Sequence, residues 1–228
     1  MDEAGRGAVI GPMVIAGVVI DENDESVLKK LGVKDSKKLT PKKREQLSVE
    51  IEKIAKSVFV LRVPACKIDS YRSQGINLDK IEAMKMAEII TMCDAEKVFV
   101  DSLGANPKRF HSKITELVPQ NEAELIIENY ADETYLVVSA ASIMAKVERD
   151  RAIQELKKKV GFDFGVGYSH DQRTIEFIKA LLQKSRDLPP YVRESWVTTQ
   201  VLKESSFQRK LKHFFVKKEG CKEGKNEN

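Results

Sequence analysis

The sequence predicts an α/β domain followed by helical additions. Met13–Ile20 is a continuous apolar run, rich in β-branched residues and bounded by turn-forming residues, which is typical of a buried strand. Downstream, short apolar runs alternate with longer segments of helical periodicity, as in domains where helices cover a sheet. After the Ala-rich segment Leu136–Lys159, the periodic segments favour helices.

The individual elements follow from local signals. Thr40 followed by Pro41 is a typical helix start and predicts a helix to about Lys56. Gly161 is expected to end the long Ala-rich helix. The other predicted elements are strands over Ser57–Val63, Lys97–Val100 and Glu124–Glu128, and helices over Asn77–Cys93, Pro107–Leu117, Leu136–Lys159, Thr174–Gln183 and Val192–Lys203.

Composition excludes several classes of protein. A chain of 228 residues with 42% hydrophobic residues can bury a sizeable core, so folding needs neither disulfides nor a structural metal. The three cysteines have no paired spacing, which disfavours a disulfide framework or a zinc site. The longest apolar stretch is too short to span a bilayer, and charges at Asp2, Glu3 and Arg6 disfavour a signal peptide. We therefore expect a cytoplasmic protein with no membrane partner.

The net charge of +4 is concentrated at the C-terminal end. Residues 201–228 contain eight Lys or Arg and four Asp or Glu, whereas residues 1–200 are electrically balanced. Nucleic acid would therefore be bound by a local basic surface beside a local acidic site, rather than by a general positive charge. Residues 217–228 are polar and of low complexity, which predicts a disordered end.

Four acidic residues stand out by their position. Asp2 and Glu3 open the chain ahead of two glycines, and Asp101 and Asp132 each follow a predicted strand. Sites in open α/β sheets form beyond the carboxyl ends of the strands. Carboxylates gathered there repel one another unless a cation neutralises them, and oxygen ligands without His or Cys favour Mg²⁺ or Mn²⁺. Any one of these acids alone would be interpreted as an ordinary turn residue.

Gly5-Arg6-Gly7 is a short loop with an arginine between two glycines. Glycines let backbone N–H groups approach a sugar–phosphate closely. Taken alone, the motif is equally well explained as a plain turn.

Segments spread along the chain together resemble one known family. The most specific of them are the opening Asp2–Gly7 with residues 9–14 and the Ser-Ala-Ala-Ser segment at 139–142. The other matching segments, in the family's order, are Lys34–Thr40, Val100-Asp101, Ala131-Asp132, Val137–Ile143, Ala145–Val147, Arg149-Asp150, Gly165–Tyr168, Asp171, Thr174, Pro190, Val192-Arg193, Trp196 and Thr198. They cover roughly residues 2–200, and they are similar to ribonuclease HII, the type 2 ribonuclease H family, in its single-chain archaeal form.

The resemblance implies an α/β, RNase H-like fold with a mixed five-stranded sheet flanked by helices and a helical C-terminal subdomain. The catalytic domain would span residues 1–160, the helical subdomain 161–204 and a flexible tail 205–228. The implied activity is metal-dependent endonucleolytic hydrolysis of the RNA strand of RNA/DNA hybrids, with cleavage 5′ of ribonucleotides embedded in duplex DNA. The products would carry 3′-hydroxyl and 5′-phosphate ends, in ribonucleotide removal during replication and repair. A monomer is expected.

The resemblance also assigns residues to the site. The catalytic and metal-binding carboxylates, with two divalent ions (Mg²⁺ or Mn²⁺), would be Asp2, Glu3, Asp101 and Asp132. The 2′-hydroxyl would be read by Gly5, Arg6 and Gly7. Tyr168 would stack on the deoxyribose that follows the ribonucleotide. Further contacts would come from Lys37, Lys146 and Ser139, for which solvated lysines and a packing serine are the simpler alternatives.

Three positions depart from the family pattern. Asn129-Tyr130 replaces a His-Lys pair, which puts a phosphate contact from that lysine in doubt, and Ser169-His170 replaces Pro-Ser after Tyr168. Met1 alone precedes Asp2, where the family has several apolar residues of a central strand. We therefore expect unpaired backbone groups and a poorly anchored Asp2, with a true start further upstream or an impaired product.

A separate motif lies in the basic tail. Residues 208–215 have the form Gln-x-x-Leu-x-x-Phe-Phe, which looks like the peptide that docks on the replication sliding clamp. Gln208 would make polar contacts, and Leu211, Phe214 and Phe215 would form one apolar plug. Apolar side chains in a charged tail favour an external pocket, and a helix folded back on the protein body is the alternative.

Two other functions remain open from the sequence. Another RNase H-fold nuclease, such as a resolvase-like enzyme, would also use an acidic cluster but would lack the two substrate loops. A catalytically impaired hybrid-binding module, tethered to the clamp, would keep the loops and lose turnover.

Overall fold

The computed structural model describes residues 1–33, 39–102 and 106–207. Five strands are found in these residues, namely β1 Asp2–Ala4, β2 Met13–Val19, β3 Ser57–Val63, β4 Lys97–Asp101 and β5 Glu124–Glu128. β1, β2 and β3 form an antiparallel sheet in that order, while β4 and β5 pair in parallel. Strands β2 to β5 therefore follow the predicted apolar runs closely, whereas β1 was not predicted.

The two sheets are joined by the backbone of Met1. Its ammonium group donates to the carbonyl of Phe99 at 2.6 Å, and the amide of Asp101 donates to its carbonyl at 3.0 Å. These bonds have the pattern of a parallel ladder, so β1 lies between β2 and β4. The expected single sheet of five strands is instead divided in two, because the pairing of β1 with β4 is one residue long.

The structure corrects the expectation of a missing central strand. Asp2 lies opposite Ala16 in the pairing of β1 with β2, and Met1–Ala4 is buried. Asp2 is therefore anchored by a strand on one side and by the bonds of Met1 to β4 on the other.

Helices cover both faces of β2. Met13 and Ile15 pack in a core with the helices Leu78–Met92 and Pro107–Leu117, whereas Val14 and Ala16 pack on the opposite face with the helices Pro41–Ile54 and Leu136–Val160. The helices are α1 Glu25–Leu31, α2 Pro41–Ile54, α3 Ala65–Ser73, α4 Leu78–Met92, α5 Pro107–Leu117, α6 Ala131–Thr134, α7 Leu136–Val160, α8 Gln172–Lys184, and α9 over residues 197–207. In the described part of the chain, no helix combines the length and apolarity needed to cross a membrane.

Capping residues define several helix starts. The Thr40 side chain accepts a hydrogen bond from the amide of Lys43, and Pro41 occupies the first turn of α2, as predicted. Asn77 caps α4 in the same way. The short helices α1 and α3 were not predicted, because each spans too few residues to show a clear helical period.

The C-terminal part of the described chain is helical, and its apolar side chains form a core together with Val9, Ile10 and Ile153. α9 begins at residue 197 rather than at the predicted Val192, because Val192 forms an isolated bridge with Ile10. The amide of Arg193 likewise donates to the carbonyl of Val9 at 2.9 Å. These bonds fasten the helical part to the segment that follows β1.

Candidate active site

Strand pairing brings the predicted acidic residues together. Asp2 and Glu3 lie on β1, Asp101 ends β4, and Asp132 lies in α6 just after β5. All four are buried, with 4% to 7% of each residue exposed. Asp101 Oδ1 accepts a hydrogen bond from the amide of Ala131 at 2.8 Å, which places it beside Asp132. Acids from three distant parts of the chain are therefore neighbours.

Burial raises the pKa of two of these carboxyls. Burial is the larger cause for Glu3, whose pKa lies well above its usual range, and repulsion from Asp2, Glu82 and Asp101 adds to the shift. Burial also raises the pKa of Asp2, although a hydrogen bond from the Ser142 side chain opposes it. Glu3 Oε1 is buried without a hydrogen-bond partner in the described residues. For Glu3, burial and repulsion outweigh the opposing charge of Arg6, so a cation bound among these carboxylates would relieve their repulsion.

The donor atoms of the cluster fit Mg²⁺ or Mn²⁺, both of which prefer carboxylate oxygens. Across residues 1–33, 39–102 and 106–207, no three His, Cys, Asp or Glu side chains are already arranged to hold one ion. A closed cage is not required, since Mg²⁺ usually keeps several waters and uses one or two carboxylates. The residues present therefore fit the expected ions.

One face of α7 supports the acids. The polar residues on this face recur at spacings of three and four, and they are Ser139, Ser142, Lys146 and Arg149. The Ser139 hydroxyl donates to the carbonyl of Asp132. Lys146 Nζ donates to Ser142 Oγ at 2.8 Å, and its charge lowers the pKa of Asp2. Lys146 thus lies beside Asp2, at the edge of the acidic cluster.

The glycine loop, Gly5–Gly7, turns sharply after β1. Gly5 adopts a left-handed conformation with φ of +81°, and a Cβ there would lie 2.7 Å from the carbonyl oxygen of Pro12. Gly7 is exposed, and a Cβ there would meet nothing within 4 Å. The Gly7 end of the loop is therefore open to a ligand.

The Arg6 side chain anchors the glycine loop to α4. Its Nε donates to Glu82 at 2.6 Å and its Nη2 donates to Asp79 at 2.6 Å. Burial raises the pKa of Glu82 to about 7, although Arg6 opposes this shift. Because its guanidinium is held by two carboxylates of α4, Arg6 offers a ligand its backbone rather than its charge.

Arg193 holds the glycine loop from the other side. Its guanidinium donates to the carbonyls of Gly5 and Arg6, each at 2.7 Å, and to that of Gly11 at 3.1 and 3.2 Å. The side chain is fully buried and lies 4.7 Å from the ring centre of Trp196. Burial lowers the pKa of Arg193 to about 9, so it stays charged at neutral pH.

The tyrosine loop, residues 165–171, lies next to the glycine loop. The amides of Val9 and Ile10 both donate to the carbonyl of Gly167, at 2.8 and 3.0 Å. These bonds fix the loop that carries Tyr168 to the segment directly after Gly7. The two loops predicted to contact substrate therefore lie side by side and are joined by backbone hydrogen bonds.

The ring of Tyr168 is half-buried and lies in a stack of planar groups. The Arg149 guanidinium lies 4.5 Å from its centre, and the His170 ring is stacked with it at 5.5 Å between centroids. The Tyr168 ring therefore packs against both the Arg149 guanidinium and the His170 imidazole.

A family model for ribonuclease HII matches residues 1–199 of the chain. The chain belongs to the ribonuclease HII family. Ribonuclease HII of Methanothermobacter thermautotrophicus is 44% identical over 207 residues, which cover 90% of this chain and 98% of the relative. Ribonuclease HII of Pyrococcus horikoshii is 44% identical over 204 residues, which cover 90% of this chain and 91% of the relative.

Solved structures support the assignment to ribonuclease HII. Ribonuclease H2 of Pyrococcus horikoshii OT3 matches with a TM-score of 0.83 and 42% identity, over 91% of this chain and 97% of that one. RNase HII from its complex with PCNA of Archaeoglobus fulgidus matches with a TM-score of 0.79 and 44% identity, over 88% and 94% of the two chains. The predicted RNase H fold and enzyme class are thus confirmed, and the protein is a ribonuclease H nuclease, a hydrolase.

Part of the predicted ribonuclease HII site lies outside the described residues. Of the predicted substrate contacts, Lys37 lies outside the described residues. All four predicted clamp contacts, which are Gln208, Leu211, Phe214 and Phe215, also lie there. These assignments stay predictions.

Sequence reasoning missed three supporting residues of this ribonuclease HII. Arg193 lies in one of the matching segments, but no local signal in the sequence indicates that it is buried. Glu82 and Ser142, which contact Arg6 and Asp2, lie in helices whose periodicity shows only which face is apolar. Their pairing depends on tertiary contacts that no local pattern reveals.

Proposed function

We propose that the protein cleaves the RNA strand of RNA/DNA hybrids and cuts on the 5′ side of ribonucleotides embedded in duplex DNA, leaving 3′-hydroxyl and 5′-phosphate ends. The observation that carries the proposal is a buried acidic cluster, with the unpartnered Glu3 Oε1, beside a glycine loop and a tyrosine loop. The role in the cell would be ribonucleotide removal in replication and repair.

The catalytic chemistry would depend on two divalent ions, Mg²⁺ or Mn²⁺. The residues that would hold them are Asp2, Glu3, Asp101 and Asp132. Bound ions would supply an activated water and stabilise the leaving 3′-oxygen. The protein contributes a buried site in which carboxylates are held close despite their repulsion, because β1, β4 and the Ala131 amide fix their backbones. Lys146, beside Asp2, is suited to contact a phosphate.

The two loops would read the position of the ribonucleotide. A 2′-hydroxyl distinguishes RNA from DNA, and it can be bound by backbone groups of Gly5, Arg6 and Gly7. Tyr168 would stack on the deoxyribose that follows, and so report the junction between RNA and DNA. The carbonyl of Gly167 accepts from two amides that follow Gly7, which supports reading of adjacent nucleotides by the two loops.

The test is cleavage of a labelled duplex that contains one ribonucleotide, with Mg²⁺ or Mn²⁺ present. We expect one cut on the 5′ side of the ribonucleotide and no cut in an all-DNA duplex of the same sequence. Removal of the ions with a chelator should lower cleavage to the level of buffer alone, because the repelling carboxylates lose their counter-charge.

Three outcomes would contradict the proposal. Cleavage of branched DNA in preference to the ribonucleotide duplex would indicate another RNase H-fold nuclease. Binding without cleavage would indicate an inactive hybrid-binding module. Turnover that survives the chelator would exclude the proposed metal chemistry.

We also propose that residues 208–215 dock on a sliding clamp of the PCNA type. The RNase HII of Archaeoglobus fulgidus, to which this chain is 44% identical, has been solved in complex with PCNA. The pattern Gln-x-x-Leu-x-x-Phe-Phe in a basic tail supports the same partner for this chain.

Replacing Phe214 and Phe215 with Ala is expected to weaken clamp affinity at least about 100-fold, because buried aromatic anchors contribute about 2 kcal/mol or more each. Calorimetric titration against the clamp measures this. Phe207→Ala, one residue before the motif, is the matched control and should retain full affinity. Cleavage of naked duplex, measured in parallel, reports folding. Equal affinities of the double variant and the control would exclude the motif.

A further inference from the structure

Arg149 lies between the two loops that are proposed to contact substrate. It is on α7, it is buried, and its Nη2 donates to the carbonyl of Val166 in the tyrosine loop at 2.9 Å. Its guanidinium carbon lies 4.5 Å from the centre of the Tyr168 ring. On the other side, its side chain packs directly against Gly5.

The contact with Gly5 leaves no room for a side chain there. A Cβ on Gly5 would lie 2.4 Å from Arg149 Nε and 2.5 Å from its Cδ. A Cβ on Gly167 would lie 3.4 Å from Arg149 Nη2. One guanidinium therefore touches a glycine of each loop as well as the tyrosine ring, and it fills the space between the loops.

Burying the charged guanidinium of Arg149 costs free energy. None of the ion pairs among the described residues involves it, and its Nε is buried without an acceptor there. Burial lowers its pKa, which reflects the loss of hydration. A methionine of similar length would fill the same space without an unpaired charge. Unlike methionine, the arginine donates a hydrogen bond to the Val166 carbonyl and places a planar guanidinium against Tyr168.

We infer that Arg149 is a positioning residue that fixes the Tyr168 ring relative to the glycine loop, and that it thereby sets the preference of the enzyme for a ribonucleotide–deoxyribonucleotide junction over a uniform hybrid. This inference rests on the proposed function. The glycine loop contacts one sugar and Tyr168 the next, so recognition of a junction depends on the distance between them. A shift of about 1 Å in such a contact lowers rates by as much as about 100-fold.

The experiment compares two substrates in the same protein. One is a duplex with a single ribonucleotide, and the other is a uniform RNA/DNA hybrid. For Arg149→Met, we expect the ratio of kcat/KM on the first substrate to that on the second to fall by about tenfold or more, mainly through kcat. Because both substrates are measured on one preparation, the ratio does not depend on the fraction of folded protein.

Three further variants and one control locate the effect. Tyr168→Leu should lower the ratio by a similar factor, and adding Arg149→Met to it should cause little further loss, because both act through the ring. Arg149→Lys keeps the charge but not the flat guanidinium, so it should resemble Arg149→Met. Arg151→Met, the matched control on the same helix, removes an exposed arginine paired with Glu45 and should keep the wild-type ratio.

Several results would overturn the inference. Equal losses on the two substrates would show that Arg149 only stabilises the fold. Full additivity with Tyr168→Leu would show that it does not act through the ring. Wild-type protein that cuts neither substrate would overturn the proposed function as well, whereas wild-type cleavage of both with an unchanged ratio in Arg149→Met would overturn this inference alone.

Discussion

Asp101→Asn is expected to lower kcat/KM on a single-ribonucleotide duplex at least about 100-fold, because under the proposed function it would remove a charged metal ligand and several kcal/mol of transition-state stabilisation. Asparagine keeps the size of the side chain and an oxygen that can accept the hydrogen bond from the Ala131 amide. The loss should therefore reflect the missing charge rather than a misplaced loop. Cleavage kinetics at saturating Mg²⁺ measure it.

Thermal unfolding of the same variant provides a second readout. Without divalent ions, Asp101→Asn should melt at the same temperature as the wild type or higher, since one of several repelling buried acids is removed. Added Mg²⁺ should raise the midpoint of the wild type more than that of the variant.

The matched control for Asp101 is Glu128→Gln. Glu128 pairs in register with Asp101 on the neighbouring strand, but it is exposed and accepts a hydrogen bond from the Tyr135 hydroxyl at 3.3 Å. This control should keep near-wild-type rates. An Asp101→Asn variant as active as the control would contradict the assignment of the acidic cluster.

Arg193→Met is expected to destabilise the protein by about 3–5 kcal/mol, a loss typical of breaking a buried charged network. The methionine removes the donor to the carbonyls of Arg6 and Gly11 and leaves that of Gly5 with the Ala8 amide at 3.3 Å. The stability of Arg193→Lys should lie between those of the wild type and Arg193→Met, because one ammonium group cannot reach all three carbonyls with the geometry of a guanidinium. Urea denaturation, followed by circular dichroism, gives the free energy of unfolding for each variant.

The control for Arg193 is an exposed arginine with carboxylate partners. Arg62 pairs with Glu148 and Glu155 on the surface of α7, and Arg62→Met should cost no more than about 1 kcal/mol. Equal stabilities of the Arg193 and Arg62 variants would show that the bonds to the glycine loop contribute little to folding.

Much of the fold could be predicted from local sequence signals. The apolar run of β2 and the Thr40–Pro41 start of α2 are confirmed closely. Asp101 was predicted to lie where a strand ends, and it is the last residue of β4. These features depend on neighbours along the chain, which is why a single sequence reveals them.

The support of the site could not be predicted in the same way. Arg149 and Arg193 are buried, whereas a sequence pattern assigns most arginines to the surface. The pairing of Met1 with β4 depends on a strand about 100 residues away, and no local signal encodes it. Buried charges and long-range pairings are set by tertiary contacts, so they emerge only from the three-dimensional arrangement.

The single helix α7 has a consequence for how this family can change. Its residues 139, 142 and 146 lie beside the acids, and residue 149 contacts the tyrosine loop. All four fall within about 15 Å of the same helix, given the rise per residue of a helix. Inserting or deleting one residue inside this stretch would turn everything beyond it by about 100° and carry Arg149 away from Gly5. A point substitution between residues 139 and 149 therefore alters one contact of the site, whereas a change in length there would displace every contact beyond it.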